Sequence, residues 1–386
     1  MDLYIPLVIS LPFNYRAKGN QKPLFSINLS IFCFKSIFIK IRIRFEVQTD
    51  IMKILVTGGA GFIGSHTVVE LFSNGDVPIL IDDFRNSEPF ILERIKEITG
   101  NAPIFYNVDC LDLKGLEDVF EKEKPEGVVH FAAYKAVGES IEKPVMYYEN
   151  NIGTLVNLLK LVPQHNIKYF VFSSSCTVYG DPEIIPVTEQ SPIQEASSPY
   201  GYTTQVCEKI LQDFCRVNQS VKTVLLRYFN PIGAHPSGLI GELPNGIPNN
   251  LVPYVAQTAA GKRDQLTING GDYNTSDGTC IRDYIHVSDL ANAHVKAFKF
   301  LQKETGNLHV FNVGTGTGST VLEVVSAFEK ATKMKVKYTI GPRREGDAVS
   351  VFADNSKIVN ELNWSPKFSL EEALSHAWKW QQSLSD

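Results

Sequence analysis

A doubly wound α/β fold, with a parallel sheet covered by helices on both faces and a smaller, mainly C-terminal lobe, is predicted by three observations. Short β-branched apolar runs alternate with segments of helical spacing from Met52 onward, a glycine-rich turn follows the first run, and the alternation stops after Asn230. The 386 residues allow two or three domains, and 44% hydrophobic with 20% charged residues is ordinary globular composition. No apolar run reaches the roughly 18 uncharged residues of a membrane span. A net charge of −5 gives no support to nucleic-acid binding. The six cysteines are scattered without a C-x-x-C pair, so neither a disulfide scaffold nor a metal site is expected, and free thiols in a reducing cytoplasm fit the pattern.

The runs Lys53–Thr57, Pro78–Asp82, Pro103–Val108, Gly127–Phe131, Lys168–Ser173 and Lys222–Arg227 each read as a buried strand. Ile63–Ser73, Glu88–Thr99, Leu113–Lys122, Pro144–Leu161 and Tyr200–Val217 carry helical spacing. Ahead of them, Met1–Ile51 holds seven Lys/Arg against three Asp/Glu, a local +4 that leaves −9 for the remaining 335 residues. That shift marks 1–51 as an extension outside the fold, read as upstream sequence ahead of a start at Met52. Leu3–Phe13 lacks the basic flank of a signal peptide. Ile31–Phe45 mixes Phe and Ile with Lys35, Lys40, Arg42 and Arg44, and surface binding to an anionic membrane is the disfavoured reading. Residues 52–229 then form the cofactor domain. Residues 230–386, opening with the Gly/Pro/Asn-rich stretch Pro231–Pro253, form mainly the substrate lobe, with some segments returning to the sheet.

Gly58, Gly61 and Gly64 lie between the first strand and the first helix. Glycines there let the backbone turn sharply and approach a pyrophosphate, and the helix N-terminus favours its charge. The second strand ends in Asp82, at the distance where a ribose-binding carboxylate belongs, so a Rossmann-type NAD site is expected. Asp82 and Asp83 should repel a 2′-phosphate, while nearby Arg85 keeps NADP open. Phe172–Gly180 ends a later strand in a serine run, and Ser198-Pro199-Tyr200 opens a helix. A strand-end hydroxyl beside such a tyrosine relays a proton from a substrate alcohol while a nicotinamide takes hydride. Singly, each group is as readily a cap or a packing residue.

With these motifs in order, followed by Ala136-Val137-Gly138-Glu139-Ser140, Arg227–Gly238, Pro248–Leu251, Gly278–Val287 and Arg343–Asp347, the chain resembles the extended short-chain dehydrogenase/reductase family over Met52–Asp386, and within it the nucleotide-sugar epimerases. The resemblance implies NAD, a UDP-sugar inverted at carbon 4 through a transient 4-keto sugar, and a cytoplasmic homodimer. Carried over by position, Tyr200 is the base and Ser175 bonds the 4-hydroxyl. Phe62 and Ile63 lie on the pyrophosphate, Asp82 on the ribose and Asp109 near the adenine. Phe131, Ala132, Ala133, Lys135, Asn150 and Phe229 surround the nicotinamide half. Asn230, Asn250, Thr267, Ile268, Asn269, Arg282, Arg344 and Asp347 hold the UDP-sugar. Val351 falls where the family bounds the sugar's 2-substituent, and its small size predicts that N-acetyl sugars are accepted; the alternative is a place in a buried strand, Ser350–Ala353.

Other residues keep structural readings. Arg282 beside Asp283 and the run Arg343-Arg344-Glu345 suit surface ion pairs, His235 and His286 suit structural roles, and Asp283 suits a helix end. One departure stands out, because the family places Lys four residues after the tyrosine and here Thr204 stands there. Thr204 can retain a hydrogen bond to the nicotinamide ribose but supplies no charge to lower the tyrosine pKa. Lys209 lies five residues further round the helix, and Lys135 is a candidate neighbouring charge. Two functions follow: an epimerase slowed by Thr204, or a non-catalytic nucleotide-sugar-binding homologue. A 4,6-dehydratase needs an acid near the strand-end hydroxyl, and Cys176-Thr177-Val178 offers none.

Overall fold

The computed structural model describes residues 24–33, 37–46, 51–344 and 347–384, with side chains from 51 onward. Contacts divide the chain into two units, 1–51 and 52–386. In the first, β1 (Leu24–Cys33) and β2 (Ile37–Glu46) pair antiparallel, Leu24 opposite Glu46 and Cys33 opposite Ile37. The expectation for Leu3–Phe13 lies outside the described residues.

The second unit is built on a sheet whose seven strands are all parallel. Its first half runs β3 (Lys53–Thr57), α1 (Phe62–Asn74), β4 (Val77–Asp82), α2 (Phe90–Thr99), β5 (Ile104–Asn107), α3 (Leu113–Glu123) and β6 (Gly127–His130). There follow α4 (Val137–Glu142), α5 (Pro144–Tyr147), α6 (Gly153–Gln164), β7 (Tyr169–Ser175), α7 (Pro199–Val217), β8 (Lys222–Tyr228) and β9 (Asn230–Ile232). Beyond these lie α8 (Leu251–Ala259), β10 (Leu266–Asn269), β11 (Ile281–Arg282), β12 (Tyr284–His286), α9 (Val287–Lys303), β13 (Leu308–Val313) and β14 (Ser319–Thr320). The chain closes with α10 (Val321–Thr332), β15 (Tyr338–Gly341), β16 (Ser350–Val351), α11 (Ser356–Leu362) and α12 (Leu370–Ser383).

Strand order is β13-β8-β7-β6-β3-β4-β5. The chain winds outward from β3 in one direction and from β6 in the other, so the strand ends part between them and open a crevice there. Alternate residues feed two apolar layers. Val56, Val129 and Val224 pack with Val68 of α1 and Phe298 of α9, whereas Leu55, Val128 and Leu225 pack with Phe120 of α3, Leu158 of α6 and Leu211 of α7. Leu55 and Val56 are both fully buried, which stabilises the fold by about 1.5–3 kcal/mol for each side chain. A third cluster joins Ile232, Val252, Ile268, Phe328 and Leu374 in the C-terminal elements.

The six strands read from sequence are all in the sheet. The expected helix Pro144–Leu161 is not continuous: a π-helical turn, Tyr148–Ile152, separates α5 from α6. That extra residue per turn turns Asn150 and Asn151 inward, where both are buried.

One buried ion pair locks the strand end to the tyrosine helix. Arg227 on β8 meets Glu208 on α7 at 2.6 Å, with side-chain exposures of 5% and 1%. Glu208 also accepts from the Ser174 hydroxyl at 2.6 Å, and Arg227 donates to the Tyr179 hydroxyl at 3.0 Å. Tyr179 in turn donates to Asn312 on β13 at 2.6 Å. Because each charge is multiply hydrogen-bonded, burial is tolerated and the geometry is specified.

Candidate active site

The glycine-rich turn is shaped for close approach. Gly58 has φ +67°, and a Cβ there would meet the Ala132 nitrogen at 3.0 Å; a Cβ on Gly64 would meet the Gly58 carbonyl oxygen at 2.1 Å. Helix α1 therefore packs on the turn only through glycine. Its N-cap, Gly61, has no side chain to satisfy the first amide groups, which leaves them to an anionic ligand. Asp82 braces the turn by accepting from the Ala60 amide at 2.9 Å, and its other oxygen accepts from the Phe84 amide at 3.0 Å and the Ser87 hydroxyl at 2.7 Å. Across the crevice, the Thr57 hydroxyl meets His130 Nδ1 at 2.7 Å and accepts from the Phe131 amide at 3.2 Å, fixing the loop after β6. Burial pushes His130 down to about 3, so it stays neutral.

The cleft over this turn is open to solvent and holds about 1230 Å³ of space with the solvent at its mouth included. Gly58, Gly61, Phe62, Ile63, Gly64, Asp82, Asp109, Phe131, Ala132, Ala133, Lys135, Asn150, Tyr200 and Thr204 all line it. A glycine cradle, an open helix N-terminus and a strand-end carboxylate fit the pyrophosphate and ribose of NAD. Ser175 and Phe229 are not on its wall. Phe229 is 2% exposed and packs among Val178, Tyr179, Val187 and Ala353, because its amide is drawn to the Val313 carbonyl at 3.1 Å.

Arg85 stands at the edge of the cleft, already committed. It meets Asp83 at 2.7 Å and Asp109 at 2.5 Å, and donates to the Tyr134 hydroxyl at 2.9 Å and to Asn150 at 3.2 Å. A guanidinium shared by two carboxylates is poorly placed to attract a 2′-phosphate, which favours NAD over NADP.

Tyr200 sits in the first turn of α7, set by Pro199 and by the Ser198 hydroxyl accepting from the Gly201 amide at 3.2 Å. Burial pushes its pKa up, and Ser175, Cys176, Tyr228 and Lys135 are the polar groups near it; the Ser175 hydroxyl accepts from the Thr177 amide at 3.2 Å. Lys135 is itself paired with Glu242 at 3.0 Å. Lys209 is 63% exposed and bonded to Asp213, so it does not serve the site. Thr203 and Thr204 both donate back to the Tyr200 carbonyl, at 2.7 and 3.3 Å.

The substrate candidates fall into groups. Arg282 and Arg344 converge on Asp347, at 3.3 and 3.0 Å, while Arg343 is held separately by Asp272 at 2.7 Å over the Tyr273 ring. The surface-pair reading of Arg282 against Asp283 is thus replaced by Asp347; Glu345 lies outside the described residues. Asn250 donates to Glu242 at 2.6 Å, so Glu242 joins it to Lys135. Asn230 pairs in register with Tyr284. Along β10, Thr267 and Asn269 face outward while Ile268, 2% exposed, joins the core, so strand alternation removes its side chain from any site. Val351 is 9% exposed, opposite Arg282 in register and clustered with Phe229.

Asp283 is not a helix cap. Fully buried, it accepts from the Thr315 and Gly316 amides at 2.8 and 3.1 Å and the Ala353 amide at 3.2 Å. The cap of α9 is His286, whose Nδ1 accepts from the Ser288 amide at 3.0 Å while Nε2 meets His376 at 3.0 Å. Its ring is bonded on both sides, a structural role. His235 meets the Ser237 hydroxyl at 2.8 Å. Sequence reasoning assigned no role to Glu242, Glu208 or Tyr228. Tyr228 stands within the quoted Arg227–Gly238 motif, so its place beside the strand-end serine was available; the two glutamates carried no local signal.

Residues 55–377 match the family described as GDP-mannose 4,6 dehydratase. The chain is 49% identical over 329 residues to the UDP-glucose 4-epimerase of Dictyostelium discoideum, covering 85% of this chain and 95% of that one. It is 51% identical over 332 residues to that of Bacillus subtilis (strain 168), covering 86% and 97%. A crystal structure of UDP-glucose-4-epimerase from Stenotrophomonas maltophila with bound NAD and formylated UDP-arabinopyranose matches with TM-score 0.84 at 44% identity, over 86% of this chain and 99% of that one. One from Bifidobacterium longum in complex with NAD+ and UDP matches with TM-score 0.83 at 45% identity, over 86% and 98%.

Proposed function

Because the chain belongs to the UDP-glucose 4-epimerase family, we propose that its Tyr200–Ser175 pair carries the proton steps by which this NAD-dependent enzyme interconverts UDP-galactose and UDP-glucose. Bound NAD supplies reversible hydride acceptance at the sugar's carbon 4. The Tyr200 oxygen takes the 4-hydroxyl proton, and Ser175 holds that oxygen in line. The 4-keto sugar turns over in the pocket and, as the hydride returns to the opposite face of carbon 4, its oxygen regains the proton from Tyr200, so no net redox change results. In this reading Arg282 and Arg344, each paired with Asp347, grip the diphosphate, and Asn230, Asn250, Thr267 and Asn269 orient the nucleotide and sugar. The observation that carries this reading is Tyr200, in the first turn of α7, lining the same cleft as the glycine cradle, with Ser175 at the end of β7.

Incubating the purified protein with UDP-galactose and NAD tests it: UDP-glucose should appear. Retained NAD without turnover would instead establish the non-catalytic binding homologue. A homodimer in the cytoplasm belongs to the same proposal; the five free cysteines among the described residues suit a reducing compartment, and size-exclusion chromatography reads the oligomeric state.

The small side chain of Val351 supports acceptance of N-acetyl sugars as well. Competition between UDP-galactose and UDP-N-acetylgalactosamine decides this. If the acetamido sugar neither reacts nor competes, other residues close the pocket.

A further inference from the structure

We propose that His286 and His376 form an acid-sensitive latch that holds helix α12 on the end of β12 and, through α12, keeps the substrate side of the cleft in its binding shape. The latch regulates the site already assigned, and only its kinetic readout rests on the epimerase reading.

Hydrogen bonds fix where the protons lie. His286 Nδ1 accepts from the Ser288 amide at 3.0 Å, and burial pushes this ring down to about 3, so it is neutral with its single proton on Nε2. Nε2 therefore donates to His376 Nδ1 at 3.0 Å, and that nitrogen is bare. A proton taken up by His376 Nδ1 sets two N–H groups against each other and breaks the bond. His286 has no room to turn aside, because its ring stacks on Phe368 at 4.2 Å between centroids and a Cβ on Gly233 would already meet it at 3.2 Å. His376 is only half-buried, so protons reach it and α12 is the part that yields.

The other charged and titratable groups around the pair are engaged elsewhere. On α12 itself, Glu372 accepts from the Ser369 amide at 2.8 Å and Lys379 donates to the Pro236 carbonyl at 2.9 Å. His235, after β9, meets the Ser237 hydroxyl at 2.8 Å, and His66 of α1 donates from Nδ1 to the Phe62 carbonyl at 2.7 Å. Asp289, opening α9, accepts from the Lys367 and Phe368 amides at 3.0 and 3.1 Å. Burial lowers His376 below the ordinary histidine range, with Glu372 pulling the other way.

Helix α12 grips the stretch that leads to the site. One turn beyond His376, the Trp380 indole donates to the Glu242 carbonyl at 2.9 Å, and Lys379 holds Pro236. A Cβ on Gly241 would lie 2.4 Å from the Trp380 ring, so the stretch meets the helix closely there. One carboxylate oxygen of Glu242 then accepts from Lys135, on the cleft wall, at 3.0 Å and from Asn250 at 2.6 Å. Hydrogen bonds and one helix thus connect His376 to both sides of the cleft, and release of α12 leaves Glu242 without its anchor.

The latch is closed while His376 is neutral, so binding is at full strength at neutral pH and weakens as pH falls through the His376 titration, below the ordinary value of about 6.5. The test measures the Kd of the methyl ester of UDP for the NAD-bound full-length protein from about pH 7.5 to about pH 5. This probe cannot epimerise, and its diphosphate diester does not titrate in that range. In the unaltered protein Kd should rise by up to about tenfold per pH unit below the His376 titration. His376→Asn, whose amide oxygen accepts from His286 Nε2 without titrating, should bind equally well at neutral pH and lose far less on acidification. Hydrogen exchange reads the latch without any ligand: protection of the α12 amides should fall with pH more than that of α9, and His376→Asn should remove the difference. In turnover of UDP-galactose the same change should appear in KM with kcat little altered. Acid weakening that comes from the other buried histidines is shared by both proteins, so parallel Kd curves, or α12 protection that falls no further than that of α9, overturn the proposal.

Discussion

Thr204 lies one helical turn beyond Tyr200 on α7, and its hydroxyl donates to the Tyr200 carbonyl at 3.3 Å, so the position that faces the cleft carries a hydrogen bond to backbone and no charge. Thr204→Lys places an ammonium one turn from the phenol. On the proposed mechanism Tyr200 acts as the phenolate, and burial raises its pKa, so activity of the unaltered enzyme should climb as pH rises from 7 towards 9. The lysine variant should turn over about tenfold faster at pH 7 and climb less steeply, each unit of pKa being a factor of ten in phenolate. Tyr200→Phe should abolish turnover. A flat unaltered profile with no gain from lysine would remove this account.

Cofactor retention should depend on Asp82 more than on Asp83. Asp82 accepts three hydrogen bonds that shape the turn, whereas Asp83 serves only Arg85. Nucleotide extracted from purified protein should be NAD, and Asp82→Ala should lose more of it than Asp83→Ala. Arg85→Ala should speed NAD release without admitting NADP. Recovery of NADP from the unaltered protein would contradict the assignment.

Glu208→Ala leaves Arg227 buried and unpaired, at a cost of about 3–5 kcal/mol. Breaking the exposed Lys209–Asp213 pair by Lys209→Ala should change stability by less than about 1 kcal/mol. Denaturant unfolding of the two variants measures the contrast, and similar losses would show that the buried pair is not the anchor described.

Four buried histidines set an acid limit. Desolvation lowers His66, His130 and His286 to about 3 and His294 to about 4. Each is neutral in the folded chain and takes up a proton near pH 6.5 once unfolded, so stability is complete above about pH 6.5 and declines as pH falls towards 3–4. Each such histidine contributes up to about 1.4 kcal/mol of loss per pH unit in that window. The thermal midpoint should fall steeply between pH 6.5 and 5; a constant midpoint there would mean these rings are not held neutral.

Six of the seven strands of the central sheet were legible, the clearest being unbroken apolar runs buried on both faces, as in Lys53–Thr57; β13 was not, since it lies beyond Asn230, where the strand–helix alternation breaks, and its first half is only partly buried. The turn at Tyr148–Ile152 was not, since one inserted residue leaves apolar spacing unchanged on either side. Asp283 misled through proximity to α9, while its bonds go to Thr315, Gly316 and Ala353, more than thirty positions away. Glu242 sits in a Gly/Pro-rich stretch without periodicity, and only the folded chain brings it to Lys135 and Asn250. The candidate cofactor residues of the glycine-rich turn and Asp82 sit at strand ends and are found from strands, whereas the substrate candidates Thr267, Asn269, Arg282 and Val351 lie on two- to four-residue strands too short to show a period.

The sheet's last strand arrives late. Strand β8 ends at Tyr228, yet its outer neighbour β13 is completed only at Val313, 85 residues further along (313 − 228). At about 5–20 residues per second of synthesis, that gap lasts roughly 4–17 s. During it the nascent chain exposes the bare ladder of β8, an invitation to pair with another chain on the same polysome. Ribosome-associated chaperones should therefore be needed most while residues 229–313 are being made, and codon changes that slow this stretch should raise the aggregated fraction without altering the finished enzyme.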